Sequence, residues 1–276
     1  MRRSGGSIVW GLALGGLIAS SALLAPWIAP EPNHVDLGAI LAPPSVHHWL
    51  GTDGLGRDVA TRLIHGARVS LTIGLTAGLV SVLIGLPFGA IAGYSRGNAD
   101  ALMSRLIEAT ICFPPLVVTI ALLSIGPRWL VALPETLRIA VALGLIGWTP
   151  AARYLRAEFR RLAASGGIVA AQAAGAGHMR IVVRHLLPQS LGTVLVTLAF
   201  GVGAAALAEA TLSFVGVGIS PPTASWGELL NQALHQVGQA WWLALFPGVA
   251  LFALLLGCNA LAEGLRAWLD PRRPPA

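Results

Sequence analysis

Charge is absent from long stretches of this chain, and that constrains its fold more than anything else. No Asp, Glu or Arg occurs from Ser4 to Pro30, Val69 to Ser95, Ala109 to Pro127, Ile139 to Ala152, His185 to Ala208 or Leu229 to Ala262. A bilayer core of about 30 Å is crossed by about 20 apolar residues in a helix. Six runs of this kind predict an all-α, polytopic membrane protein with six transmembrane helices. The fourth run is the weakest, and its ends must be extended by Arg138 and Arg153 snorkelling outward. Only 11% of the residues are charged and 55% are hydrophobic, which excludes a disordered chain or an ordinary soluble domain. The two cysteines, Cys112 and Cys258, lie inside apolar runs and read as packing residues, which excludes a disulfide scaffold.

All 18 basic residues are Arg, so the chain holds neither a phosphate-loop lysine nor a Schiff-base lysine. A pI near 10.9 would suit nucleic acid, but in a membrane protein an Arg excess belongs on the cytoplasmic side, so lipid is the expected partner. With both termini in the cytoplasm, Arg2, Arg3, Arg96, Arg105, Arg153, Arg156, Arg160, Arg161, Arg180, Arg184, Arg266, Arg272 and Arg273 lie inside. Only Arg57, Arg62, Arg68, Arg128 and Arg138 then lie outside. Trp27, Trp129, Trp241, Trp242 and Trp268 fall near span ends, where amphipathic indoles sit well. Residues 1–30 read as a retained N-terminal anchor, 31–68 as an extracytoplasmic segment, 69–266 as a core of five spans and 267–276 as a cytoplasmic tail.

Within the outer segment, Val59, Ala60, Leu63, Ile64 and Ala67 share one helical face, with Asp58 and Arg62 as an i,i+4 pair on the other. The pattern predicts an interfacial helix feeding the second span. Asp53, Arg57 and Asp58 are expected to form structural ion pairs in preference to a ligand site. Gly74, Gly78, Gly85, Gly89, Gly201 and Gly203 suit close helix packing in lipid, and Pro87 and Pro114-Pro115 predict kinks.

The inner segment from Arg153 to Pro188 has six Arg and one acid, Glu158. Ala170, Ala171, Ala173 and Ala174 make a helix with little side-chain bulk. Gly175 and Gly177 break it, and a second short helix is expected to end at Pro188. Such an element suits another protein's groove, or a solvated basic loop near anionic lipid. Glu209 lies about 20 helical residues beyond Pro188, close to the outer end of the fifth span. It is read either as facing a pathway or interface, or as a solvated carboxylate. The stretch from Ala210 to Gly227 reads as a loop or re-entrant segment. There Pro221, Pro222 and Trp226 are expected to form an ordered element near a pathway mouth.

The inner segment resembles the coupling motif of binding-protein-dependent ABC importers, E-A-A, three residues, G, then a spacer ending in L-P. Ala170, Ala171, Gly175, Leu187 and Pro188 match, while Val169 stands where the motif has Glu. G-T-D-G-L-G-R-D with the downstream G-A-R-V-S-L, and A-E-A-T-L-S-F-V-G-V-G-I-S-P-P-T-A-S-W-G, resemble the second permease type of the dipeptide, oligopeptide and nickel systems. The resemblance covers the chain from about Trp49 onward. It implies an ABC-importer permease fold and no chemistry in this chain. It also implies a second permease subunit, two cytoplasmic ATPases using ATP and Mg, and an extracytoplasmic solute-binding protein. Arg180 and Arg184 are expected to pair with acidic groups on an ATPase.

Peptides are the first substrate class and nickel or a nickel chelate the alternative, for which His34, His47 and His48 would be transient contacts. No resident metal site is expected. An ion-driven secondary transporter would want midplane carboxylates and matching inverted halves, neither of which the sequence displays.

Overall fold

The computed structural model describes residues 3–29, 31–95 and 97–268. Arg2, Arg96, Arg272, Arg273 and the tail beyond residue 268 lie outside the described residues. The described chain is helical apart from turns and one isolated bridge between Thr52 and Asp58.

α1 (Arg3–Ile28) carries the anchor run. α2 (Val59–Tyr94) is one helix of 36 residues. The predicted interfacial helix is therefore no separate element but the first turns of the second span. Asp58 is the reason it starts there: its Oδ1 accepts the Thr61 N–H at 2.9 Å, satisfying an end donor. Pro87 sits inside α2 without ending it.

The third run is broken. α3 (Asn98–Ile111) and α4 (Pro115–Ile125) meet at 82°. Pro114-Pro115 removes amide donors and drives the preceding residue out of helical backbone. After a short α5 (Arg128–Val131), the fourth run is divided at Gly147 between α6 (Glu135–Ile146, 12 residues) and α7 (Trp148–Ala163, 16 residues). Among the described residues, four helices are long and apolar enough to cross a membrane, or five if the bent pair is one span. The six expected runs are thus largely helical, but three are broken, the sixth by the turns at residues 234–241.

α8 (Gly166–Ala173) and α9 (His178–Ile181) follow. Pro188 does not end the second short helix. It falls in the first turn of α10 (Leu187–Phe214), and the chain is helical without interruption from His178 to Phe214. A π turn over Val182–Leu186 makes this possible, with the Leu187 N–H reaching back to the Val182 carbonyl. The wider turn just before Pro188 accommodates the ring and the missing N–H. α11 (Trp226–Ala233) and α12 (Trp242–Trp268) complete the chain.

α2 is central, with α7, α10, α6 and α1 packed on it, while α12 pairs with α1 and α10. Its glycine stripe is used as expected. A Cβ on Gly85 would stand 2.8 Å from Ala151 Cβ, and one on Gly89 2.7 Å from the Ala152 carbonyl oxygen, so α2 and α7 meet backbone to backbone. Trp27, Trp129, Trp241 and Trp268 are exposed at helix ends, as expected. Trp242 is not: it is buried and donates Nε1–H to the Thr52 carbonyl at 3.1 Å.

Candidate functional site

The bundle has two ends with polar chemistry. One carries residues 31–58 and is termed outer; the other carries α8 and α9 and is termed inner, following the Arg distribution.

At the outer end, the two motif segments far apart in sequence come together. Asp53 organises the 51–58 turn. Its Oδ1 accepts the N–H groups of Leu55 (2.8 Å) and Arg57 (3.0 Å), and its Oδ2 accepts Arg57 Nε–H at 2.7 Å. The expected Asp53–Arg57 pair is thus present, and buried. Arg57 also donates to Gln232 Oε1 at 3.1 Å. Arg62 is fully buried, donating to Glu228 Oε2 at 2.9 Å and to Asn33 Oδ1 at 3.0 Å. This overturns the surface pair of Asp58 with Arg62. Asp58 caps α2 and meets His48 Nδ1 at 3.1 Å, whereas α11 covers the face of α2 that carries Arg62. Burial pushes the Glu228 carboxyl above the usual carboxylate range, and the Arg62 and Arg57 guanidiniums pull it back.

Beneath this cluster, Glu209 is fully buried and accepts from Ser213 (2.8 Å), Ser225 (2.8 Å) and Ser70 (3.3 Å). The solvated reading of Glu209 does not hold, because its own subunit encloses the carboxylate. Three hydroxyls within its own subunit satisfy it, which is what a buried carboxylate needs. Trp226 is likewise corrected: it is buried at the start of α11 and donates Nε1–H to the Leu63 carbonyl at 2.9 Å, so it is a core residue. Pro221 and Pro222 are exposed, joined by a cis peptide bond in the turn that leads to α11. His34 faces Glu31 at 3.5 Å, His48 faces Asp58, and His47 is exposed. Among the described residues no group of three His, Cys, Asp or Glu could hold a metal ion.

At the inner end, α8 stops in a Schellman arrangement. The Gly175 N–H bonds to the Gln172 carbonyl, and the Ala176 N–H bonds to the Ala171 carbonyl, both at 3.0 Å. Gly175 has φ +81, a backbone that favours glycine. Ala170, Gly175, Arg180, Arg184 and Pro188 are exposed; Ala171 and Leu187 are half-buried. Val169, at the position of the motif's Glu, is 52% exposed and so belongs to the outward surface. The anchors of this segment are Ile168, Ile181 and Leu186, buried with Phe159 and Leu162 of α7 and Ala90 of α2. Sequence reading passed over these anchors, although their apolar side chains bracket the Ala–Gly turn.

Between the two ends, a cavity of about 320 Å³ opens among α2, α4, α6, α7 and α10. Ser81, Thr119, Thr149 and Thr197 give it hydroxyls among small residues, and no residue lining it is charged. Tyr154 joins it to a cavity of about 590 Å³ beside Arg153, and to one of about 830 Å³ at the inner end, beside Glu158 and Arg266. This wall was missed in sequence, because it is assembled from isolated positions on five helices.

Residues 85–273 match the family described as "Binding-protein-dependent transport system inner membrane component". A putative peptide transport system permease protein of Brucella suis is 39% identical over 264 residues, covering 95% of this chain and 86% of the relative. The dipeptide transport system permease protein DppC of Bacillus subtilis is 37% identical over 253 residues, covering 91% and 77%. An inward-facing structure of the MetNI methionine ABC transporter shares the fold, with a TM-score of 0.58 at 20% identity, over 75% of this chain and 94% of that one. The all-α bundle, the coupling-type segment and these likenesses agree: the chain belongs to the family of binding-protein-dependent transport system inner membrane components.

Proposed function

We propose that this permease subunit forms one half of the import pathway for dipeptides or oligopeptides, driven by ATP and Mg on partner ATPases. The observation that carries this reading is the inner segment. A compact two-helix element is fixed to α2 and α7 by its own apolar anchors, yet presents Ala170, Gly175, Arg180 and Arg184 outward. That is the form required of a rigid lever resting in another protein's groove. The peptide class is supported by the relatives, several of which are peptide transport permeases at 34 to 39% identity.

A second permease subunit supplies the other wall, and a solute-binding protein delivers the peptide from outside. Both termini are cytoplasmic and the subunit lies in the bacterial inner membrane, a reading supported by the Arg asymmetry. The pathway wall is the uncharged central cavity, which Tyr154 joins to the charged cavities on the inner side, in place of Glu209 and Trp226, with exposed Pro221 and Pro222 toward the outer end. Hydroxyls on an uncharged wall suit a solute rich in amide groups, which can exchange hydrogen bonds as it passes.

The test is uptake by the reconstituted complex of permeases, ATPases and binding protein, with labelled dipeptide and labelled nickel in parallel. ATP-dependent dipeptide uptake is expected. Nickel uptake without dipeptide uptake would overturn the peptide reading.

A further inference from the structure

The inner segment touches the bundle through more than its chain connections. α8 and α9 are joined in sequence to α7 and α10, yet a hydrogen-bonded chain also links them to the end of α2. Gln172 of α8 donates Nε2–H to the Tyr94 hydroxyl at 3.4 Å, and that hydroxyl lies 3.0 Å from Nδ1 of His178 on α9. The Tyr94 and His178 rings also meet edge to face, with centroids 5.7 Å apart. Tyr94 is half-buried and packs on the apolar cluster of Phe159, Leu162, Ile168, Ile181 and Leu186. It is the last residue of α2, and the 32 residues from Arg62 to Tyr94, at about 1.5 Å each, carry the helix roughly 48 Å from the cluster around Arg62.

We propose that Tyr94 is a positioning residue that clasps α2 to the docking segment through Gln172 and His178, so that displacement of α8 and α9 by an ATPase is delivered to α2. The proposal rests on the docking of this segment. α2 is continuous through Pro87, and a continuous helix resists shortening, so a push at its inner end reaches the helices packed along it. Without the clasp, the apolar anchors hold α8 and α9 mainly to α7, with Ala90 the remaining buried contact on α2, and less of their displacement reaches α2. Contiguity alone does not prove coupling; the energetic dependence of one residue on another does.

The experiment uses the complete complex in proteoliposomes and reads two quantities: ATPase retained on purification, and peptide imported per ATP hydrolysed. Tyr94→Ala is expected to retain the ATPases while import per ATP falls about tenfold or more, within the range of known coupling energies. Tyr94→Phe, which keeps the ring, is expected to show a smaller fall. The double variant Tyr94→Ala with His178→Ala should fall no further than Tyr94→Ala, because both changes remove one contact. A wild-type ratio in Tyr94→Ala, or losses that multiply in the double variant, would overturn the proposal. Loss of the ATPases from Tyr94→Ala would overturn it too, by placing Tyr94 in the docking surface itself. If Tyr94→Ala does not insert, Tyr94→Phe decides, and a wild-type ratio there defeats the proposal. Failure of the docking reading is distinguishable: Ala170→Glu would then keep both ATPase and import, whatever Tyr94 does.

Discussion

Two glycines with nearly the same backbone separate the ends of this molecule. Gly56 has φ +75, and a Cβ there would stand 1.8 Å from the Asp36 carbonyl oxygen; Gly175 has φ +81, and a Cβ there would meet nothing within 4 Å. The outer end is largely completed by its own chain, with Arg62 Nε and Gln236 Oε1 the buried side-chain atoms left without a hydrogen-bond partner among the described residues. Asp53, Arg57, Arg62 and Glu228 are buried and find their partners within the subunit, and Thr52 is locked by Ala42 and Trp242. The inner end has the same local need for a left-handed residue but no neighbour over it. Its apolar anchors face the bundle, while small and basic side chains, with Val169, Met179 and Val183, face away. An end that is filled supports the fold, and an uncovered end carries the docking proposed above.

The comparison breaks most easily at Arg62. Arg62→Ala leaves Glu228 buried without its closest cation, and breaking a buried pair on one side costs about 3–5 kcal/mol. We expect a large drop in the thermal midpoint of the detergent-purified protein, read by size-exclusion after heating. A wild-type midpoint would mean that the outer cluster contributes nothing.

The glycine pair sharpens it. Gly56→Ala combines a left-handed backbone, worth about 1–2 kcal/mol, with a collision against backbone, so we expect poor accumulation in the membrane. Gly175→Ala meets only the backbone cost. Its stability should fall by about 1–2 kcal/mol while ATPase retention on purification falls more steeply. Equal effects of the two substitutions on stability would erase the distinction between the ends.

Trp226→Phe removes the bond to the Leu63 carbonyl from a core position, at a cost of about 1 kcal/mol. Transport per inserted molecule should stay at the wild-type level, as befits a buried core residue. A fall in that ratio with unchanged stability would return Trp226 to the pathway mouth. Least of all on stability, Ala170→Glu should leave the thermal midpoint in place, since Ala170 is exposed, and yet abolish ATPase retention. Retention at the wild-type level would remove α8 from the docking surface.

Much of the architecture was legible in the charge-free runs, because a helix in lipid must be apolar on nearly every face and leaves a one-dimensional signature. The Ala–Gly pattern at Ala170 to Gly177 was legible for a similar reason, since the helix stop and the positive φ at Gly175 are local properties. Local reading went astray where two rules competed. Pro188 reads as a helix end, but a π turn just before it lets the helix continue. Pro114-Pro115 reads as a kink in one span, but the chain turns through 82° there.

The sequence by itself determined that the chain lives in a membrane, which stretches are helical, and which segment ends in a turn that only glycine favours. Each of these follows from residues within a few turns of one another. The tertiary structure alone decided which polar side chains are buried. Arg62 and Asp58 looked equivalent on one face of a helix, but Glu228 lies 166 residues from Arg62 in sequence, and only the packing of α11 on α2 turns that arginine from a surface charge into a buried one. The same holds for Glu209, whose carboxylate became structural when Ser70 and Ser225 closed over it from two other segments. An amphipathic pattern records that a face is polar; whether water, a partner or the protein's own chain satisfies it depends on what the fold places opposite.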